Sequence, residues 1–179
     1  MISAAELTGI TYILGAVTFD EICAVEKEIS YLRNSIHETS SLKEICIEAL
    51  KEHLLESVSA EDVSGAGIAD NIYFITGPKA FPEIPPELSQ VIDILKLSVR
   101  KVNMDTVSMK LLKSFQKKVH GFKTKIESIE VGSKEIKGLE TEYSDMLNLY
   151  YDYDSWAPGR FETVAYNLME ISKKLEALK

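Results

Sequence analysis

Cysteine, histidine and tryptophan are scarce in this chain, and each shortage closes a route. Only Cys23 and Cys46 are present. Two cysteines that far apart supply neither a disulfide framework nor a CxxC metal knuckle. They read as buried, reduced thiols of a cytoplasmic protein. The three histidines, His37, His53 and His120, follow Asn34, Leu50 and Lys117 by three residues. The Glu-x-x-His pairs of a carboxylate-bridged di-metal bundle are therefore missing. Zinc is no better served, and neither metal nor cofactor is expected. No apolar run reaches the eighteen or so residues of a membrane span. The fairly apolar first twenty residues carry Glu6 and no basic leader, so they read as a core helix rather than a secretory signal.

Catalytic and nucleotide motifs are missing as well. Gly65-Ala66-Gly67 has Asp70 where a dinucleotide fingerprint needs its third glycine, and Gly132-Ser133-Lys134 has Glu127 where a phosphate loop needs a glycine. There is no GxSxG elbow. Asp152 and Asp154 alternate like a calcium loop, but Trp156 takes the place of the third oxygen ligand. Arg33 and His37 lie four apart, a pairing that can serve phosphate chemistry. As a lone pair they read as solvated surface residues. No residue qualifies as catalytic, and the balance is against an enzyme.

What is present is an ordinary folded composition, 45% apolar and 27% charged over 179 residues. The net charge of −8 hides a strong asymmetry. Between Lys96 and Lys125 lie nine basic residues and one acid, Asp105, so that segment alone is +8. A local patch of this sign counts for more than the total.

Helix starts are marked by capping boxes at Ser3–Glu6, Thr18–Glu21 and Ser41–Glu44, where a hydroxyl and a glutamate satisfy each other's backbone amides. The first helix should bury Leu7, Ile10, Leu14 and Val17. The second should bury Ile22, Val25, Ile29, Leu32 and Ile36. The third should run to about Val58 on Ile47, Leu50 and Leu54. If it folds back on the second as a hairpin, Cys23 and Cys46 are offset by roughly 15 Å at ~1.5 Å per residue. From Ser59 to Pro86 glycines and prolines interrupt the pattern, with one β-like run at Asn71–Gly77 and no evident partner strand. Pro85 and Pro86 suit the first turn of the next helix. Its line of Val91, Leu95, Val99 and Val102 falters near Asn103, which marks a break or an overwound helix.

The longest pattern runs from Met109 to Tyr150. Stepping by three and four from Leu112 meets an apolar residue at ten of twelve positions, a heptad seam. A straight helix of that length would be about 63 Å, against a globule diameter on the order of 40 Å. The segment must bend, with Gly132 the expected joint, or protrude and pair with a second copy. Opposite the seam lie Lys110, Lys113 and Lys117, with Lys118 on its flank. These four are the candidate contacts for an anionic partner or nucleic acid. The acids Glu44, Glu48, Glu52 and Glu56 offer an internal alternative. Arginine is scarce and no aromatic interleaves on that face, so base-specific readout is not expected. Aromatics instead gather at Tyr150, Tyr151, Tyr153, Trp156 and Phe161, candidate interface anchors or the packing of a turn. Arg160 beside them could stack on a ring or hold an anion.

The fold expectation is an all-α bundle of about five or six helices, with a coiled-coil-like long helix or hairpin and an irregular Gly/Pro-rich connector. Residues 1–58 form an acidic helical region, 59–86 the connector and 87–179 the long-helix region, within one structural domain. The expected function is non-enzymatic: a helical interaction or assembly subunit, homodimeric through the seam or bound to another subunit. The alternative is an accessory nucleic-acid-binding subunit using the lysines.

Overall fold

A computed structural model describes residues 1–36, 38–66, 71–129 and 135–178. The chain divides into two compact units, Met1–Asn103 and Met104–Lys179. Both are built mainly from helices, but the first also holds short antiparallel strands that an all-α reading omits.

In the first unit, helix α1 (Ala4–Leu14) and helix α2 (Phe19–Leu32) open on complete capping boxes at Ser3–Glu6 and Thr18–Glu21. Between them is strand β1 (Val17–Thr18). Leu7, Ile10 and Leu14 are buried as their spacing requires, together with Ile22, Val25 and Ile29; Val17 is buried as well, but on β1 and not on the first helix. Ile36 is not, because α2 ends at Leu32 and leaves that residue in solvent. Helix α3 (Thr39–Lys51) departs further from expectation. It is entered from Glu38 without a side-chain cap, so Ser41–Glu44 is not its start. Its buried line is Leu42, Cys46 and Ala49, rotated from the expected Ile47 face, and Ile47 is exposed.

Helix α3 also stops before Val58. His53 adopts a positive φ of 57° and turns the chain into strand β2 (Leu55–Ser59). That strand is the partner missing from the sequence reading. It pairs along its whole length with strand β4 (Ile72–Thr76), which also pairs with β1, giving the order β1-β4-β2. A single 3-10 turn (Ala60–Asp62) leads into strand β3 (Val63–Ser64), which pairs with strand β5 (Lys101–Val102). Helix α4 (Leu88–Leu95) starts after Pro85 and Pro86 rather than on them, and a left-handed Lys96 ends it. The irregularity near Asn103 is therefore a break between helices.

Cys23 and Cys46 are free thiols packed into one core. Burial, with a smaller contribution from Cys23, pushes the Cys46 thiol up to about 11.

Two glycines on α1 mark where backbone crosses it. A Cβ at Gly9 would sit 2.0 Å from the Glu83 carbonyl oxygen, and one at Gly15 2.0 Å from that of Arg100. The crossings are pinned by Glu83 N–H donating to the Ala5 carbonyl (3.0 Å) and Arg100 N–H to the Leu14 carbonyl (2.8 Å). Arginines lock the same joints. Arg33 donates twice to Glu87 (2.9 and 2.8 Å) and once to Glu6 (2.7 Å), so it is a clamp and not a solvated residue. Arg100 donates to both oxygens of Glu21 (2.6 and 2.8 Å) and to the Ala16 carbonyl, with its guanidinium 5.2 Å from the Tyr73 ring centre.

Among the described residues, the second unit has three helices, α5 (Met104–Glu127), α6 (Ile136–Trp156) and α7 (Glu162–Ala177). The seam is thus divided between two helices. The joint expected at Gly132 lies outside the described residues, as do His37, Gly67, Asp70 and Lys134. Phe115, Val119, Phe122 and Ile126 of α5 are buried in one core with Val164, Leu168, Ile171 and Leu175 of α7. Helix α7 also packs on α6, which adds Leu139 and Tyr153. The seam of α5 is covered within its own chain.

The arginine clamps make stability depend on pH. Arg33 holds the Glu6 and Glu87 carboxyls below the usual range. Burial raises Glu21, but Arg100 and the Thr18 amide outweigh it, and this carboxyl is lowered too. Groups lowered by folding stabilise the folded state above their ordinary value near 4.5, and that contribution disappears as pH falls through the folded value. Glu21→Gln, which keeps the helix cap, should cost about 1–3 kcal/mol at pH 7. Urea unfolding at stepped pH should show the difference from the parent narrowing as pH falls below the ordinary carboxyl value of 4.5. An unchanged difference down to pH 3 would contradict this account.

Candidate interaction surface

Helix α5 buries one line of side chains and turns the opposite line to water. At ~1.5 Å rise per residue its 24 residues span about 36 Å, and the exposed line is mostly basic. The helix carries six lysines against Asp105 and Glu127. Lys110, Lys113, Lys117 and Lys118 are all exposed, as is His120.

These lysines divide by what they touch. On one flank, Lys123 donates to Glu170 of α7 (2.8 Å), and Lys174 of α7 pairs with Glu127. On the other, Lys125 donates to Glu142 of α6 (2.6 Å). The lysine ammonium groups hold the Glu170 and Glu127 carboxyls below the usual range. Lys110 already interacts with a neighbouring group. Lys113, Lys117 and Lys118 have no hydrogen bond or ion pair among the described residues. The acidic row proposed as their counterweight is shorter than expected. Glu56 sits on β2, buried against His53 Nδ1 at 2.8 Å, and Glu48 pairs with Lys51.

Between α5 and α7 lies a groove of about 300 Å³. Lys123, Lys173 and Lys174 line it with Tyr166, Met169 and Glu170, and Lys173 has no ion pair among the described residues. An aromatic ring does lie among lysines here, supplied by a different helix. Helical spacing along α5 alone could not show it.

The aromatic cluster is mostly internal. Tyr153 and Phe161 are buried and stacked, with ring centres 5.0 Å apart, and Phe115 and Trp156 lie 5.7 and 6.2 Å from Tyr153. These rings fill the turn between α6 and α7. Only Tyr151 is largely exposed, beside a half-buried Tyr150. Arg160 pairs with Asp105 instead of meeting a ring.

A family profile described as a family of unknown function (DUF7109) matches residues 5–173. The chain belongs to that family. No curated protein and no solved structure matches it. The match takes in both units of this DUF7109 chain, so the lysine face belongs to the region that defines the family. Among the described residues of this DUF7109 member, no group of three or more His, Cys, Asp or Glu is placed to hold a metal ion, and no helix is long and apolar enough to cross a membrane.

The split between internal and surface aromatics is measurable. Phe161→Ala should destabilise the second unit by about 3–5 kcal/mol, whereas Tyr151→Ala should cost under about 0.5 kcal/mol. Denaturant unfolding of the two variants checks this. A large loss for Tyr151→Ala would mean that ring is structural.

Proposed function

We propose that this chain is a non-enzymatic helical assembly subunit that associates with copies of itself through charge. The carrying observation is the exposed set Lys113, Lys117 and Lys118, unpaired among the described residues, in a protein whose first 103 residues hold sixteen acids and eight basic residues. A second copy brings its own acidic surface, including exposed Glu44 and Glu52. Opposite potentials of this kind steer encounter and fix register more than they add affinity. Because the α5 seam is covered by α7, a homodimer through that seam loses its motive, and the polar face takes over that role. A cytoplasmic setting fits two free thiols.

A second reading, an accessory nucleic-acid-binding subunit, draws support from the α5–α7 groove. Lys173 there can meet a phosphate, Lys123 and Lys174 can join it by exchanging Glu170 and Glu127 for phosphates, and the Tyr166 ring offers a stacking surface, a combination that suits single strands without sequence preference.

Sedimentation of the full chain over a concentration series tests the first reading. Self-association at low salt should weaken at least tenfold in Lys113→Glu/Lys117→Glu/Lys118→Glu, and also in 0.5 M salt for the parent. A monomer throughout, at high micromolar concentration and low salt, would remove it. Fluorescence anisotropy with a single-stranded oligonucleotide tests the second. Three lysine–phosphate contacts predict a slope of about −2 for log affinity against log salt, with Tyr166→Ala weakening binding about tenfold. A flat salt response ends that reading.

A further inference from the structure

The first unit contains a cleft of about 500 Å³ at an interrupted sheet edge. Strand β1 pairs Val17 with Phe74 and Thr18 with Tyr73. The next pair would be Phe19 with Ile72, but Phe19 already belongs to α2. Strand β4 therefore runs on past the end of β1, and Ile72 is left 62% exposed. The cleft occupies this gap and falls within the usual size range for small-ligand sites, roughly 300–1,000 Å³.

Its lining has a consistent chemistry. Phe19 and Phe74 supply two aromatic rings, and Asp20, Ser57 and Asn71 supply polar groups. None of those three polar side chains has a hydrogen-bond or ion-pair partner among the described residues. The Thr18 hydroxyl, by contrast, is occupied by the helix cap. Among the described residues, Asp20 is the only charged residue in the lining, and no basic residue joins it. The Asp20 carboxylate gives the cleft a charge that disfavours anions and attracts cations. Aromatic faces also favour a cation.

We propose that this cleft binds a small organic cation with an apolar body, an aromatic amine being the best fit. The ammonium group meets the Asp20 carboxylate, the apolar body lies against Phe19 and Phe74, and Ser57 and Asn71 select for a further polar substituent. This site lies in the first unit and does not depend on the lysine face of the second.

Three probes of one shape separate the terms: phenethylamine, phenethyl alcohol and 3-phenylpropanoate. They are titrated into the ¹⁵N-labelled full chain at low salt, up to about 10 mM, within the weak range expected of such small ligands. The amine should shift the amide signals of Phe19, Asp20, Ser57 and Phe74, with an affinity at least tenfold above that of the alcohol and the carboxylate. Asp20→Asn should bring the amine down to the level of the alcohol. Ser57→Leu keeps the carboxylate but fills the cleft, and should abolish binding of all three. Retained dispersion of the remaining amide signals shows that each variant is folded. Equal affinity for the amine and the alcohol, preference for 3-phenylpropanoate, or no shift with the amine would each overturn the proposal.

Discussion

Two glutamates that cap helices also carry much of the first unit's long-range order. Glu6 accepts from the Ser3 amide with one oxygen and from Arg33 with the other. Glu21 accepts from the Thr18 amide and from both terminal nitrogens of Arg100. A capping box is a local device worth about 1 kcal/mol. Here the same carboxylate also receives a guanidinium from 27 or 79 residues away. Helix starts and chain crossings are thereby fixed by one group. Charge-assisted, two-pronged contacts of this sort are directional as well as strong. Their placement beside Gly9 and Gly15, where backbone touches α1 too closely for any Cβ, ties the loop segments to the helix at both ends.

That double use explains what could be read from the residues in order. The boxes at Ser3 and Thr18 were legible because both halves lie three residues apart. Their arginine partners were not, since nothing local to Arg33 names Glu6 or Glu87. The α1 core line was legible from period alone. The face of α3 was not, because the buried line Leu42-Cys46-Ala49 is a weaker apolar line than Ile47-Leu50-Leu54. Strand β2 was hidden by an acid spacing that continues through Glu56 as if the helix went on. The turn at His53 uses a left-handed conformation that glycine would have advertised and histidine does not. Glu26, fully buried and bonded to the Ser30 hydroxyl at 2.6 Å, likewise sits where periodicity predicts surface.

The second unit was easier to read, for a physical reason. Its contacts are helix on helix, and each helix declares its inward line by spacing. The line Phe115, Val119, Phe122 and Ile126 is buried, and the last helix supplies Val164, Leu168, Ile171 and Leu175 to meet it. What spacing could not show was which of several apolar lines would cover α5, the chain's own or a second copy's. Helix α7 shares a core with that line of α5, and Tyr153 and Phe161 of the turn stack in the same core. The candidate site followed the same division. The exposed lysines were legible as a stripe, but their pairing states were not, because Glu170 and Glu142 lie 47 and 17 residues from the lysines they meet.

Those pairing states bear on how a protein of net charge −8 can present a basic face. Exposed ion pairs are worth about 0–1 kcal/mol each, so the flank pairs of α5 do little to stabilise the unit. They do neutralise its edges and leave the positive potential concentrated on Lys113, Lys117 and Lys118. The Lys113–Lys118 span is about 7–8 Å along the axis, within one Debye length at physiological salt. A partner at that face responds to the three charges together, while acids more than a few Debye lengths away are screened. Total charge therefore misleads about this protein, and the local arrangement decides what it can attract.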